Sequence, residues 1–391
     1  MFHSLFPTRP RGSNVVPPAS LRAAPPEGGE SLGAARRLSL LALLVALVAG
    51  AASVVGTNSR AASTEPAPNM RDAPGTKQTA DESGKVGIDA EQLYGALVRV
   101  QTIAVPNARS NASLGRAREG TGTVIGKDGL ILTIGYLIVE ADAVKVTDAR
   151  GRSYPARVVA YDHRTGLGLV KTTVPFNVPP VPLGNSSMLA DREPVLIAGW
   201  GGVPDTALAY VVSRRTFTAN WEYMLDEAIF TSPPTTGWSG AALVDRKGTI
   251  VGVGSLVVRE ATAGDPKLPG NMFVPIDALK PILDDMIKTG RRKDAPRPWL
   301  GLAADEIQGR LIVSRVSPEG PADSAGVKQG DIILAIGKEV VLSQAEFYQK
   351  LWDRTRAGDV ISLRVLQGAD IRDIRVQSID RVDYFRPLTT Y

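Results

Sequence analysis

From Ile88 to about Gly290 the chain is a succession of short β-rich segments closed by glycine or proline, and this punctuation limits its fold more than any other feature. Gly122–Gly126, Leu130–Thr133, Ala143–Thr147, Ala156–Ala160, Leu167–Val170, Pro194–Ala198 and Gly248–Val253 follow one another with turn residues between them. Many short strands with frequent turn signals predict an all-β barrel or sandwich. The 391 residues leave room for two or three domains with ample core. Cysteine is absent, which excludes disulfides and thiolate metal sites, and two histidines, His3 and His163, leave almost nothing for zinc, so no metal and no cofactor is expected. The net charge is +5, but lysine and arginine are scattered among 40 acidic residues without an aromatic-interleaved basic stripe, which argues against nucleic acid as a partner.

The N-terminal region has a different character. Residues 38–56 (LSLLALLVALVAGAASVVG) carry no charge over 19 positions, about enough to cross a bilayer core as a helix. Arg9, Arg11, Arg22, Arg36 and Arg37 precede them against Glu27 and Glu30, and this positive surplus places residues 1–37 in the cytoplasm as a tail and the bulk of the chain outside. A signal peptide cut near Ala49–Ala52 competes with an uncleaved anchor. The long proline-rich leader and the near-full span favour the anchor, hence a single-pass protein of the cytoplasmic membrane. Residues 57–87 are rich in Ala, Ser, Thr, Pro and Gly and lack aromatics, so they are expected to stay unfolded as a tether with a reach on the order of 30 Å.

Three further motifs carry a family resemblance in the folded part. Gly237-Trp238-Ser239-Gly240 resembles the nucleophile loop of trypsin-like serine proteases. A glycine-flanked strand, the turn Lys127-Asp128-Gly129, Ile131-Leu132-Thr133 and a strand pair joined through Asp148–Gly151 precede it. Downstream, Trp299-Leu300-Gly301-Leu302 and the run Pro321–Ile333 (PADSAGVKQGDII) are similar to the carboxylate-binding loop and the most recognisable run of a PDZ domain. Together, in this order, they resemble the HtrA/Deg family of envelope serine proteases. The resemblance implies two six-stranded β-barrels with an active site between them over 88–290, a linker at 291–298 and an α+β PDZ domain over 299–382.

Carried onto this sequence, the resemblance is faithful at some site positions and departs at others. The family's catalytic histidine falls on Tyr136 and its aspartate on Gly166, while the serine is kept as Ser239; the intervals of 30 and 73 residues preserve the family's order. Gly237 and Ser239 keep the two backbone positions that form the oxyanion hole. Trp238, Ala241 and Ala242 replace the usual asparagine, glycine and proline. Serine is a weak nucleophile without an adjacent base, and a phenol with an ordinary pKa near 10 is a poor base at neutral pH. His163 falls in the turn before the aspartate position and is expected to be an exposed turn residue. The expectation is therefore a periplasmic, membrane-anchored pseudoprotease that binds unfolded polypeptides or exposed C-termini. The alternative is a weak or unconventional serine endopeptidase that uses Ser239.

The peptide-binding expectation rests on Trp299, Leu300, Gly301 and Leu302, because a chain terminus needs backbone N–H donors for its carboxylate and an open strand edge for its main chain. Ser343-Gln344-Ala345-Glu346 is a capping box opening a helix to about Arg356, whose Phe347 and Leu351 serve either the groove or plain core packing. Pro275–Gly290 is expected as one helix with Asp277 as N-cap, an apolar stripe of Leu279, Ile282, Leu283, Met286 and Ile287, and Gly290 as its stop. Family members often trimerise through aromatic residues near the start of the protease domain, where this chain offers Tyr94.

Overall fold

A computed structural model describes residues 90–264 and 268–386, all of them within one compact unit. The expected tail (1–37), membrane helix (38–56) and tether (57–87) lie outside the described residues. No helix among the described residues is long and apolar enough to cross a membrane.

The punctuated region closes into two barrels. Strands β1 (Leu97–Ala104), β2 (Ala117–Val124), β3 (Leu130–Ile134), β4 (Ala141–Thr147), β5 (Ser153–Asp162) and β6 (Leu167–Thr172) form the first, with neighbours in the order β1-β2-β3-β6-β5-β4. Strands β7 (Pro194–Ala198), β8 (Thr206–Ala219), β9 (Tyr223–Ser232), β10 (Ala242–Val244), β11 (Ile250–Val258) and β12 (Gly270–Pro275) form the second, in the order β10-β11-β12-β9-β8-β7. Closure satisfies every strand edge and gives each barrel an interior of interdigitated side chains. Gly122 shows how tight that interior is: a β-carbon there would come within 2.5 Å of Ile131 and 2.7 Å of Val100. Tyr94, on the helix Ala90–Ala96 that leads into β1, packs against the barrel core.

The expected helix at Pro275–Gly290 is broken in two, a 3-10 turn at Ile276–Ala278 and an α-helix at Leu283–Thr289. Pro281 is the reason: it lacks the N–H for an i→i−4 bond, and its ring crowds the carbonyl one turn back. Asp277 does not cap; its carboxylate instead accepts from the Ser187 amide (2.9 Å) and Lys280 Nζ (2.6 Å). Leu279, Ile282 and Met286 are buried, whereas Ile287 is 45% exposed and falls off the stripe. Gly290 ends the helix in the left-handed region at φ 77°, as expected.

The C-terminal region is a single sheet, β13 (Leu302–Ile307), β14 (Arg310–Val316), β15 (Ile332–Ile336), β17 (Val360–Gln367) and β18 (Asp370–Gln377) in that spatial order, with β16 (Glu339–Val340) paired to β15. The helix Gln344–Arg354 covers it, and the Ser343 side chain accepts from the Glu346 amide at 3.1 Å as the capping box predicts. Phe347 and Leu351 sit in the same core as Leu300, Leu302 and Val365, which decides for core packing at both.

Candidate functional site

Ser239 lies on the loop between β9 and β10, clamped from two sides. The Thr121 amide of β2 donates to the Ser239 carbonyl (2.8 Å), and the Gly240 amide donates to Gly254 O in β11 (2.9 Å). The loop thus bridges the two barrels. Gly240 has φ 73°, and a β-carbon there would stand 2.1 Å from Thr121 O. Tyr136 arrives from the other side, on the 3-10 turn Gly135–Leu137 that directly follows β3. Arg118 Nη1 holds this turn by donating to Tyr136 O (3.1 Å) and Val139 O (2.6 Å).

The structure brings Tyr136 and Ser239 together: the phenol oxygen is 3.0 Å from Ser239 Oγ and 3.0 Å from the carbonyl oxygen of Ser255 in β11. A carbonyl only accepts, so the phenol donates its one proton to Ser255 O and receives the Ser239 hydroxyl as an acceptor. Burial pushes the Tyr136 phenol up to about 12, against the hydrogen bonds from Ser239 and Trp238. At neutral pH only about one molecule in 10⁵ would carry the phenolate needed to take the serine proton.

The remaining predicted positions do not complete a relay. Gly166 sits beside the turn that carries Tyr136, its carbonyl accepting from the Gly135 amide, and it holds φ 78°. It has no side chain to orient a base. His163 is half-buried rather than exposed, in a crevice with Arg164, Glu222, Arg297, Trp299 and Arg381, where segments distant in sequence cover it. Burial first, then the positive charge of Arg381, lowers its imidazole to about 4. Gly237 donates its amide to Thr235 Oγ1 at 3.4 Å, and the carboxylate of Asp205 packs against it so closely that a β-carbon on Gly237 would meet Oδ1 at 2.1 Å. Burial raises the Asp205 carboxyl. At the position expected for the oxyanion hole, such a carboxylate would oppose the negative charge that acyl transfer develops. Neither Asp205 nor Ser255 carried any signal in the sequence, since each reaches the site only through barrel closure. Among the described residues, no group of three or more His, Asp or Glu is arranged to hold a metal ion.

The second predicted site is built as a carboxylate cradle. The amides of Leu300, Gly301 and Leu302 converge on one carboxylate, that of Glu222, at 2.9, 2.7 and 3.0 Å. Trp299 contributes differently. Its amide donates to Ile379 O, and its ring lies under Gly301 and against Tyr384 at 4.5 Å between centroids. Glu222 belongs to the three-residue turn Asn220-Trp221-Glu222 between β8 and β9, where it holds φ 57° in the left-handed region. Tyr348 on the covering helix fixes this turn: its hydroxyl donates to Ala219 O (2.7 Å) and accepts from the Glu222 amide (3.1 Å). Burial pushes the Glu222 carboxyl up to about 7, against the three amides and the charge of Arg381. Nothing in the local pattern points to this contact, because 78 residues separate the acid from the first amide it accepts.

Comparison with known proteins agrees with this architecture. Residues 120–253 match the trypsin-like peptidase domain family and residues 298–377 the PDZ domain family. The probable periplasmic serine endoprotease DegP-like of Hahella chejuensis is 28% identical over 275 residues, 66% of this chain and 56% of that protein. The serine endoprotease DegS of Escherichia coli (strain K12) is 25% identical over 277 residues, 67% of this chain and 76% of that protein. The chain therefore spans little more than half the length of the DegP-like relative. Among solved structures, the HtrA-type protease AlgW with decapeptide aligns at a TM-score of 0.47 and 20% identity, over 77% of this chain and 99% of that chain. A trypsin-like peptidase domain of two closed barrels, followed by a PDZ domain, makes this chain a member of the HtrA/Deg family.

Proposed function

We propose that this protein is a catalytically silent HtrA-like binding protein, anchored in the cytoplasmic membrane through residues 38–56, with its folded part in the periplasm, where it recognises exposed C-termini or unfolded polypeptides. One observation carries the catalytic half of this reading: the hydroxyl of Tyr136 stands where a base would meet Ser239 and is committed as a donor to Ser255 O. Disabling a serine-protease triad typically costs on the order of 10⁴- to 10⁶-fold in kcat. The carboxylate of Asp205 against Gly237 adds to that loss. The convergent amides of Leu300, Gly301 and Leu302 support the binding half, since main-chain donors at a strand entrance are what a terminal carboxylate requires. The relatives named as periplasmic endoproteases support the placement outside the cytoplasm.

The test is to incubate the purified protein with a fluorophosphonate probe and an unfolded casein substrate, beside a Ser239→Ala variant. Labelling and cleavage are expected to be the same for both. Serine-dependent labelling together with cleavage would instead establish the second reading, an unconventional serine endopeptidase, which the names of the relatives favour. A homotrimer is the assembly suggested by the family. Sedimentation of the purified protein as a monomer at micromolar concentration would end that part of the proposal.

A further inference from the structure

The amides that would receive a ligand's carboxylate are already filled by a carboxylate of the same chain. We infer that Glu222 is an internal stand-in for a polypeptide C-terminus, so that the turn Asn220–Glu222 closes the PDZ pocket and a ligand enters only by displacing it. This rests on the reading that the Trp299–Leu302 loop receives terminal carboxylates.

Three features set this contact apart from ordinary packing between neighbouring parts of a chain. The first is its chemistry: both oxygens of Glu222 are used, Oε1 accepting from Gly301 and Leu302 and Oε2 from Leu300, which is how a terminal carboxylate is held. The second is the backbone. A three-residue hairpin loop ends in a left-handed residue, where glycine is free of strain, yet this one holds glutamate at φ 57°. The third is that the turn is fastened on several sides. Tyr348 grips it at Ala219 O and the Glu222 amide, Arg381 donates to Trp221 O (3.2 Å), and Asn220 Nδ2 donates to Asp305 Oδ1 on β13 (2.6 Å). The Asn220 bond falls on the strand along which a bound peptide would extend.

A pocket closed this way binds with an affinity reduced by the fraction of molecules that are open. An open fraction of about 1–10% weakens apparent binding about 10- to 100-fold. The variant that removes the stand-in while relieving the backbone is Glu222→Gly. Tyr348→Phe, which keeps the carboxylate and removes both hydroxyl contacts to the turn, is the second variant should the first fold poorly. The probes are two dye-labelled pools of random decapeptides with an apolar last residue, one ending in a free carboxylate and the other in an amide. Binding is followed by fluorescence anisotropy against the full-length protein.

The free-carboxylate pool is expected to bind Glu222→Gly at least 10-fold more tightly than the native protein, with Tyr348→Phe between them and the amidated pool weak throughout. Equal binding of the free-carboxylate pool to native protein and both variants, with the amidated pool still weak, would overturn the internal stand-in and leave C-terminus recognition standing. Equal binding of the two pools to Glu222→Gly would overturn C-terminus recognition itself. Amide hydrogen exchange decides the case in which neither pool binds. The Leu300, Gly301 and Leu302 amides are expected to exchange at least 10-fold faster in Glu222→Gly than in the native protein, and unchanged rates would sink the proposal.

Discussion

Gly240→Ala is expected to destabilise the protein by about 4 kcal/mol, one of the largest effects open to a single added methyl group. The new β-carbon would lie 2.1 Å from Thr121 O and 2.9 Å from Thr133 Oγ1, and the backbone there sits at φ 73°, which alanine adopts only under strain. Thr121 cannot give way cheaply. Its amide holds Ser239 O, its carbonyl accepts from Thr133 Oγ1 (2.7 Å), and its hydroxyl accepts from the Trp200 amide (3.1 Å). Relief therefore requires the serine loop to lift away from the first barrel, breaking the contact between Tyr136 and Ser239 as well. Gly290→Ala is the matched control. It is also left-handed, at φ 77°, but its β-carbon would have only Val159 O at 3.4 Å, and a loss of about 1 kcal/mol is expected there. Urea unfolding of the two variants separates strain from collision, and equal losses would show that the serine loop is not clamped as described.

The barrels were legible in the sequence because closely spaced turn residues leave no room for long helices, and the family order then placed Tyr136 against Ser239. Pro281 is a local signal that outweighs the apolar stripe and splits the helix expected from Pro275 to Gly290. Elsewhere the local pattern was silent. The spacing of Phe347 and Leu351 fits a groove and a core equally well, and only burial against Leu300 and Val365 decides between them. His163 reads as an exposed turn residue until Arg297, Trp299 and Arg381 are folded over it. Asp205 and Glu222 are invisible for the same reason: each gains its meaning from amides or glycines on segments that meet only after the barrels close and the sheet docks. What the sequence could not disclose is therefore the long-range electrostatics of both sites.

That electrostatics predicts opposite pH responses from two residues lining one crevice. Burial raises Glu222 from 4.5 to about 7, so its contribution to stability is fully present below about pH 4.5 and is lost as pH rises through about 7. His163 is lowered from 6.5 to about 4, so its contribution is present above about pH 6.5 and is lost as pH falls through about 4. Arg381 acts on both groups, Tyr348 bonds the amide of Glu222, and Asp162, Arg164 and Arg297 act on His163. Each contribution is on the order of 3 kcal/mol, and between pH 4.5 and 6.5 their slopes oppose each other. The native protein is thus expected to show a shallow profile there. Glu222→Gln unmasks the histidine, so that stability rises with pH relative to native protein. His163→Asn unmasks the acid, so that stability falls with pH up to about 7. Urea midpoints at pH 4.5, 5.5, 6.5 and 7.5 give both slopes, and carboxylates elsewhere cancel because they are common to all three proteins. Parallel profiles for the three proteins would mean that neither group is desolvated by the docked turn. Diverging profiles would show that both groups are desolvated in the folded protein, where the turn and the segments over His163 dock.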